Sequence, residues 1–333
     1  MRLPAELAVL LYTPGSRYDA IRLTIASLRA QTARERLEIV LLAPNSERLL
    51  VDEEAMRDFS RFHVVSVGEI QSRAQAMAEG VRKASAPLVA FGGNHSCPAP
   101  DWAARLIEAH QGPWAAVAPS ERNANPATAI SWAHFLIGHG HWIDPVDAGV
   151  THFVPMTSAA FKRSVLLEYG PQLARMLERD GGLSEDLRAK RHRLYLEPAA
   201  RIFHFNISRL SSFVRFRVHV GRAFAASRAR KERWGAIRRL AYAIGWPLIP
   251  FVQLRTTLGW ARRCNRSYGL FPRVLPALTL GLMLHALGEA IGYTLGMGDA
   301  RQKILSFESD LNAHMTKRDR ELRAEGLVSA ERP

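Results

Sequence analysis

The sequence predicts an α/β fold with a mostly parallel sheet, followed by a helical C-terminal region. Short apolar runs alternate with helical patterns as far as Ala118, and glycine-rich or polar turns follow the apolar runs. This alternation favours parallel strands that are joined by right-handed crossovers. After Asn206, arginine clusters and long apolar stretches replace the alternation, which marks the start of the helical region.

The predicted strands end in turns that meet at one edge of the sheet. Strands are expected at residues 7–12, 38–42, 62–67, 88–91 and 114–118. The turns Thr13-Pro14-Gly15, Pro44-Asn45-Ser46 and Gly92 to Ser96 follow three of these strands, at the edge where open α/β sheets bind nucleotides. Each turn alone is typical of an ordinary connection, since Gly, Pro, Asn and Ser favour turns. Their convergence predicts a shared ligand site.

The segment from Pro87 to Trp102, PLVAFGGNHSCPAPDW, is central to this interpretation. It is expected to form a buried strand, a turn at Gly92 and Gly93, and an exposed polar pair, Asn94 and His95. Asp101 is expected to cap a helix that begins at Trp102.

Several segments resemble glycosyltransferases of family two in their order and spacing. They are TIASLRAQ from Thr24 to Gln31, EIVLLAPNS from Glu38 to Ser46, Ser72-Arg73 and the central segment. The resemblance implies a GT-A-like, Rossmann-like domain that binds a nucleotide-sugar and transfers the sugar with inversion. We expect the donor to contact Thr13, Pro14, Asn45, Arg73 and Asn94.

The chain departs from the family pattern where acidic residues are expected. Ala43 and Pro44 replace two aspartates, and Gly93, Asn94 and His95 replace the Asp-x-Asp metal motif. This arrangement resembles a branch with Glu-Asn-His or Glu-Asp-His at that place, without its Glu. The resemblance implies that His95 and His204 hold a divalent metal, Mn²⁺ or Mg²⁺, and imidazole suits Mn²⁺ better. Alternatively, His204 is a hydrogen-bonded structural residue at the end of a strand.

Two acidic clusters compete for the position of the catalytic base. The family spacing from the base to the later leucines and to His204 fits Asp180 without a gap, so the resemblance implies that Asp180 is the base. Glu185 and Asp186 are interpreted as a solvated helix face that forms ion pairs with Arg188 and Lys190.

The stretch from Ser120 to Trp142 is rich in polar and aromatic side chains, which suit a sugar or acceptor pocket. They are Asn123, Asn125, Trp132, His134, His139, His141 and Trp142. A zinc site is the alternative, but His139-x-His141 lacks a third ligand at a suitable spacing. We therefore favour histidines on the surface or in a pocket wall.

The C-terminal region concentrates the positive charge of the chain. The formal net charge is +14, and residues 206–273 contain fifteen Lys or Arg and a single acid, Glu232. A basic amphipathic helix is predicted by apolar residues at helical spacing that are interleaved with arginines, namely Phe213, Phe216, Val220 and Phe224 with Arg215, Arg217, Arg222 and Arg228. The apolar stretch 240–254 is too short to span a bilayer, while 274–297 is long enough. We expect helices at an anionic membrane interface, with a hairpin, one spanning helix or a soluble helical pair as alternatives.

Localisation and domain limits complete the prediction. Two cysteines, Cys97 and Cys264, give no disulfide framework, and the N-terminus has no signal-peptide pattern. We expect a GT-A-like domain at 1–205, a membrane-associated region at 206–309 and a charged tail at 310–333. The predicted function is glycosyl transfer to a saccharide or lipid-linked acceptor at the cytoplasmic face of the cell membrane. A non-catalytic nucleotide-sugar binder is the alternative, and no motif indicates nucleic-acid binding.

Overall fold

The structure is a computed structural model that describes residues 4–13, 16–68, 72–178 and 182–325. It comprises two compact units. The sheet unit consists of Met1–Arg122 and Asp144–His204, and the helical unit consists of Asn123–Ile143 and Phe205–Pro333. Residues 123–143 thus belong with the C-terminal helices, so truncation after residue 205 would divide a compact unit. The domain limits at 205 and 309 stay a prediction.

The secondary structure follows the expected alternation in the first half of the chain. The strands are β1 Leu7–Tyr12, β2 Leu37–Ala43, β3 Arg61–Ser66, β4 Leu88–Gly92, β5 Ser96–Pro98, β6 Trp114–Asn123, β7 Gly149–Thr151, β8 Ala160–Lys162 and β9 Arg193–His204. The helices are α1 Arg22–Arg29, α2 Glu53–Met56, α3 Arg73–Lys83, α4 Trp102–Ala109, α5 Ala129–His139, α6 Arg163–Leu167, α7 Leu173–Glu178, α8 Gly182–Ala189, α9 Leu210–Lys231, α10 Ala236–Ile244, α11 Ile249–Tyr268, α12 Leu275–Leu295, α13 Ala300–Ser309 and α14 Lys317–Ala324.

The sheet is mixed rather than parallel throughout. The described strands form one nine-stranded sheet in the order β3-β2-β1-β4-β8-β6-β9-β5, with β7 beside β9. The pairs β1–β2, β1–β4 and β2–β3 are parallel, as predicted. The short strand β8 lies between β4 and β6 and is antiparallel to both. The predicted mostly parallel sheet is thus confirmed as a mixed sheet: β1 to β4 are joined by parallel pairs, and the short strands β5, β7 and β8 add antiparallel ones.

Strands β1 and β2 are almost wholly buried, which explains why they are continuous apolar runs. Glu38 is the exception, because its carboxylate lies in the buried part of β2. It accepts hydrogen bonds from the Ser85 backbone nitrogen at 2.8 Å and hydroxyl at 2.9 Å, and from the Ala86 nitrogen at 2.8 Å. This buried acid therefore fixes the turn between α3 and β4 and is structural.

The polar stretch around residue 125 forms a buried cluster instead of a pocket lining. The Asn206 nitrogen donates to Asn125 Oδ1 at 2.8 Å, and the Asn206 side chain donates to Asn123 Oδ1 at 2.9 Å. These asparagines connect β6 to the segment before α9 within the helical unit. Among the residues that the structure describes, no group of three His, Cys, Asp or Glu side chains could hold a metal ion, so the zinc alternative lacks support.

Helix α9 is a core helix of the helical unit and not an exposed basic helix. Arg217 is buried and donates to His285 Nδ1 at 3.0 Å, because α9 packs closely against α12. Added Cβ atoms at Gly221 and Gly288 would lie 2.0 and 2.2 Å from backbone oxygens of the facing helix. These two glycines therefore permit near-contact of the two backbones. The predicted amphipathic surface helix is wrong at Arg217.

Helix α12, Leu275–Leu295, is long and apolar enough to cross a membrane by length and composition. Half of its most apolar window is buried inside the protein, however, and core helices of soluble proteins pass the same criterion. The helix also buries His285 and Glu289. It is weak evidence for a membrane span.

Candidate functional site

The turns after β1 and β2 are tied together at the carboxyl edge of the sheet. The Thr13 backbone nitrogen and hydroxyl both donate to the Leu42 carbonyl, at 2.8 and 3.1 Å. The Ser16 hydroxyl donates to the Asn45 carbonyl at 2.9 Å, and Asn45 Oδ1 accepts from the Glu47 nitrogen at 2.8 Å. Pro14 lies outside the described residues. The roles of Thr13, Pro14 and Asn45 in donor binding stay predictions.

Helix α1 holds the loop after β4, the third turn at this edge. The buried Thr24 hydroxyl shares its hydrogen between the Gly93 and Ser96 carbonyls, at 3.1 and 3.0 Å. The loop is thus fixed on both sides of Asn94 and His95, which are half-buried rather than exposed. The shape of the loop therefore depends on a residue that is about seventy positions earlier in the chain.

Gln31, after the end of α1, fixes the far side of the same segment. Its Nε2 donates to the Ala99 carbonyl at 2.7 Å, and its Oε1 accepts from the Ala103 nitrogen at 2.9 Å. Helix α4 begins at Trp102 as predicted, but the Asp101 side chain makes no capping hydrogen bond. The expected cap is wrong because Gln31 supplies an acceptor for the first turn of α4. Gln31 ends the TIASLRAQ motif, and this position is the signal by which its role could have been found.

Arg73 brings a positive charge to the end of β4. It is the first residue of α3, whose N-cap Ser72 accepts a hydrogen bond from the Gln75 nitrogen at 3.3 Å. The Arg73 guanidinium donates to the Gly92 carbonyl at 3.1 Å. The charge therefore lies beside the central loop, where a diphosphate could meet it.

His95 and His204 lie against each other in the sheet unit. Strand β5 pairs with β9 so that Ser96 lies opposite His204. The two imidazole rings are perpendicular, with centroids 4.7 Å apart. His95 Nδ1 is 2.6 Å from Asn94 Oδ1. Because an amide oxygen only accepts, this contact is a hydrogen bond when Nδ1 carries the hydrogen.

This pair does not form a complete metal site. Two imidazoles are suitable nitrogen ligands, but a Mn²⁺ or Mg²⁺ centre also needs oxygen ligands. No cluster of three potential side-chain ligands occurs in the described parts of the chain. The described residues alone therefore do not fit a resident divalent metal, and a nucleotide-sugar would have to supply further ligands.

Gly93, which occupies a carboxylate position of the family motif, is not held there by its backbone conformation. Its φ is not in the left-handed region, so other residues can adopt it. A Cβ atom at this position would lie 2.9 Å from Ser96 Oγ, which can rotate away. A side chain can therefore be placed beside His95.

Of the two acidic clusters, Asp180 lies outside the described residues, while Asp186 lies on α8. The Asp186 carboxylate accepts a hydrogen bond from the Tyr169 hydroxyl at 2.6 Å and forms an ion pair with Lys190 at 3.0 Å. The predicted ion pair at Lys190 is therefore present. Burial, together with Asp186, raises the pKa of the Tyr169 phenol. These contacts fix the position of the Asp186 carboxylate on α8.

A pocket of about 660 Å³ lies beside α3 and α7 in the sheet unit. It is lined by Val67, Gln75, Ala76, Glu79, Arg82, Gly170, Pro171 and Ala174. None of the predicted site residues is among them, and the Arg82 guanidinium is already bonded to Glu79 at 2.6 Å and to the Gly170 carbonyl at 3.1 Å. The pocket is separate from the histidine pair.

Comparisons with known proteins agree with this architecture. The sequence model of the family described as "Glycosyl transferase family 2" matches residues 16–170. The chain is similar in structure to the mannosyltransferase PcManGT from Pyrobaculum calidifontis, solved in complex with GDP-Man and Mn2+. The TM-score is 0.52, the identity is 16%, and the likeness covers 91% of this chain and 88% of the other. At that identity the likeness shows a shared fold alone.

A second solved structure with some similarity is GalNAc-T7 with UDP, GalNAc and Mn2+. It has a TM-score of 0.45 and 12% identity, and the match covers 62% of this chain and 44% of the other. A comparison with curated protein sequences finds no match. The family match includes Asn45, Arg73, Asn94 and His95, and it ends before Asp180. Residues 16–170 are therefore similar in sequence to glycosyl transferase family 2, and the chain shares its fold with the mannosyltransferase.

Proposed function

We propose that the protein transfers a sugar, with inversion, from a nucleotide-sugar to a hydroxyl group of a saccharide or lipid-linked acceptor. The observation that carries this proposal is the loop from Gly92 to Ser96. Thr24 and Arg73 hold its carbonyl groups, and it presents His95 beside His204 at the sheet edge where open α/β folds bind their ligands. GDP-Man is the first donor to test, because the similar mannosyltransferase was solved with it.

In this proposal, the positive groups at the sheet edge stabilise the departing diphosphate. Arg73 contributes a permanent charge, and the imidazoles of His95 and His204 contribute hydrogen-bond donors or protonated rings. Asp180 accepts the proton of the acceptor hydroxyl as its oxygen attacks the anomeric carbon. The bond from that carbon to the diphosphate oxygen breaks in the same displacement, and the oxygen keeps the bonding electrons. No step requires a resident metal.

We further propose that the protein works at the cytoplasmic face of the cell membrane. Residues 206–273 carry fifteen Lys or Arg and one acid, and anionic lipids attract such a segment. Each basic side chain near the surface contributes about 1 kcal/mol, and the attraction weakens as salt is added. A lipid-linked acceptor would then be presented in the plane in which the enzyme sits.

The proposal is tested by titration calorimetry of the purified protein with nucleotide-sugars, beginning with GDP-Man. We expect binding without metal, and tighter binding when Mn²⁺ is present, since the diphosphate supplies oxygen ligands that the histidine pair lacks. Absence of heat with every nucleotide-sugar, with and without Mn²⁺, would leave only a non-catalytic role for the domain.

The role of Asp180 is tested by substitution. Asp180→Asn should reduce turnover by roughly a hundredfold or more and leave donor affinity nearly unchanged, because only proton transfer is lost. Asp186→Asn and Glu185→Gln are the matched controls and should change turnover far less. The assignment fails if Asp186→Asn abolishes turnover while Asp180→Asn does not.

A further inference from the structure

The helical unit exposes a run of large apolar side chains, called the ridge below, that its own packing does not explain. The ridge consists of Ile237, Leu240, Ile244, Leu248, Phe251 and Val252, each at least 55% exposed. It runs along α10, through the short 3₁₀ turn Trp246–Leu248, and onto the first turn of α11. Monomeric proteins rarely leave a contiguous apolar surface of this kind open to water.

Helix α10 is anchored so that the ridge keeps its position. Ala243 is buried, and Tyr242 packs against Trp234 with ring centroids 4.4 Å apart. Trp234 in turn stacks on Tyr293 of α12 at 5.4 Å. Ile237, Leu240 and Ile244 follow one another at helical spacing on the exposed side. One face of α10 therefore binds the helical unit and the other face stays in solvent.

Basic side chains surround the ridge along the chain. Between Arg228 and Arg239 there are six Lys or Arg and one acid, Glu232. Arg230, Arg233 and Arg255 are exposed, on either side of the ridge in sequence. A second copy of this chain would bring two such positive surfaces together, and like charges repel. An anionic surface with an apolar interior satisfies both features at once.

We propose that this ridge inserts into the interface of an anionic lipid bilayer and that Arg230, Arg233 and Arg255 lie among the headgroups. The inference rests on the membrane association proposed above and names the surface that produces it. An amphipathic segment of this kind enters the headgroup and acyl boundary by roughly 5–10 Å without crossing it. The protein would then be held by insertion as well as by charge.

The first test is flotation of the full-length protein with phosphatidylcholine vesicles, with and without phosphatidylglycerol. Ile244→Asp together with Phe251→Asp should weaken binding to the anionic vesicles by roughly tenfold or more, since insertion needs an apolar face. Leu50→Asp is the matched control, because Leu50 is an equally exposed leucine in the sheet unit, and it should bind like the unaltered protein. Arg230→Gln with Arg233→Gln should reduce the preference for anionic lipid.

The second test measures whether position 248 enters the bilayer. Cys97 and Cys264 are buried, so a thiol-reactive, environment-sensitive dye will label Leu248→Cys selectively. We expect its emission to shift to the blue on adding anionic vesicles, whereas a dye on Leu50→Cys should not shift. Equal behaviour of the two positions would refute insertion of the ridge.

The outcomes separate the ridge from membrane association in general. If the unaltered protein binds vesicles and the double variant binds equally well, the association stands and the ridge inference fails. If the unaltered protein ignores anionic vesicles, the association itself fails, while donor binding still tests the transferase. A dimer in solution that dissociates on Ile244→Asp would show that a second copy covers the ridge, and it would overturn the inference.

Discussion

The bond between Thr24 and the central loop gives the sharpest test of how the fold serves the site. Thr24→Val keeps the size and shape of the side chain and removes its hydroxyl. The hydroxyl is buried and reaches two carbonyls, Gly93 at 3.1 Å and Ser96 at 3.0 Å. Leaving a buried carbonyl without this donor costs about 1–3 kcal/mol. We expect the free energy of unfolding to fall by that amount, as measured by urea denaturation.

The same change should also weaken donor binding. If part of the lost energy, about 1.4 kcal/mol, is needed to restore the loop on binding, the dissociation constant for the donor rises about tenfold. Calorimetry of Thr24→Val with GDP-Man measures this directly. Thr24→Ser keeps the hydroxyl and should bind nearly normally.

Ser27→Ala is the matched control in the same helix, because the Ser27 hydroxyl donates to the Leu23 carbonyl of its own helix, at 3.1 Å. It should leave donor binding unchanged, and its stability should change by less than about 0.5 kcal/mol. Loss of stability in Thr24→Val with unchanged donor affinity would show that the loop does not form the donor site. If neither the free energy of unfolding nor the donor affinity of Thr24→Val changes, the hydroxyl does not stabilise the loop.

Three further predictions follow from single positions. Gly93→Glu should tighten Mn²⁺ binding in the presence of a nucleotide diphosphate by roughly tenfold or more, measured by calorimetry, whereas Gly93→Gln of equal size should not. Gly288→Ala should destabilise the protein by about 1–3 kcal/mol, because its Cβ would lie 2.2 Å from the Val218 carbonyl oxygen, while Gly259→Ala, with nothing within 4 Å, should be neutral or stabilising. Burial lowers the pKa of His110 from 6.5 to about 4, so the unfolded chain binds an extra proton between these values. The free energy of unfolding should therefore fall by up to roughly 3 kcal/mol as the pH drops from 6.5 to 4. Urea denaturation of His110→Leu should show a pH dependence that is smaller by this contribution.

The parts of the fold that could be predicted are those with a local cause. Strands β1, β2 and β4 are apolar runs closed by turns, so their place in the chain was readable to within about two residues. Strands β5, β7 and β8 are three residues each and exist because a longer partner strand binds them. No periodicity marks such short strands. The antiparallel half of the sheet could not be predicted for that reason.

The convergence of the three turns could be predicted, and the hydrogen bonds that support them could not. The turns after β1, β2 and β4 share an edge because their strands are parallel, which follows from topology alone. The bonds from Thr24 and Gln31 span long sequence distances and depend on tertiary packing. The prediction that Arg217 lies on an exposed polar face was wrong for a similar reason. The close approach of α9 and α12 buries this residue.

The side chains that hold the central loop form hydrogen bonds with its backbone atoms. Thr24, Gln31 and Arg73 bind the carbonyls of Gly92, Gly93, Ser96 and Ala99 and the nitrogen of Ala103. Substitution at positions 93–95 leaves every one of these atoms in place. The shape of the loop and its chemistry are therefore specified by different parts of the chain. The tripeptide can be varied as a cassette, and a library at these positions could be screened for donor or metal preference without redesigning the protein around it.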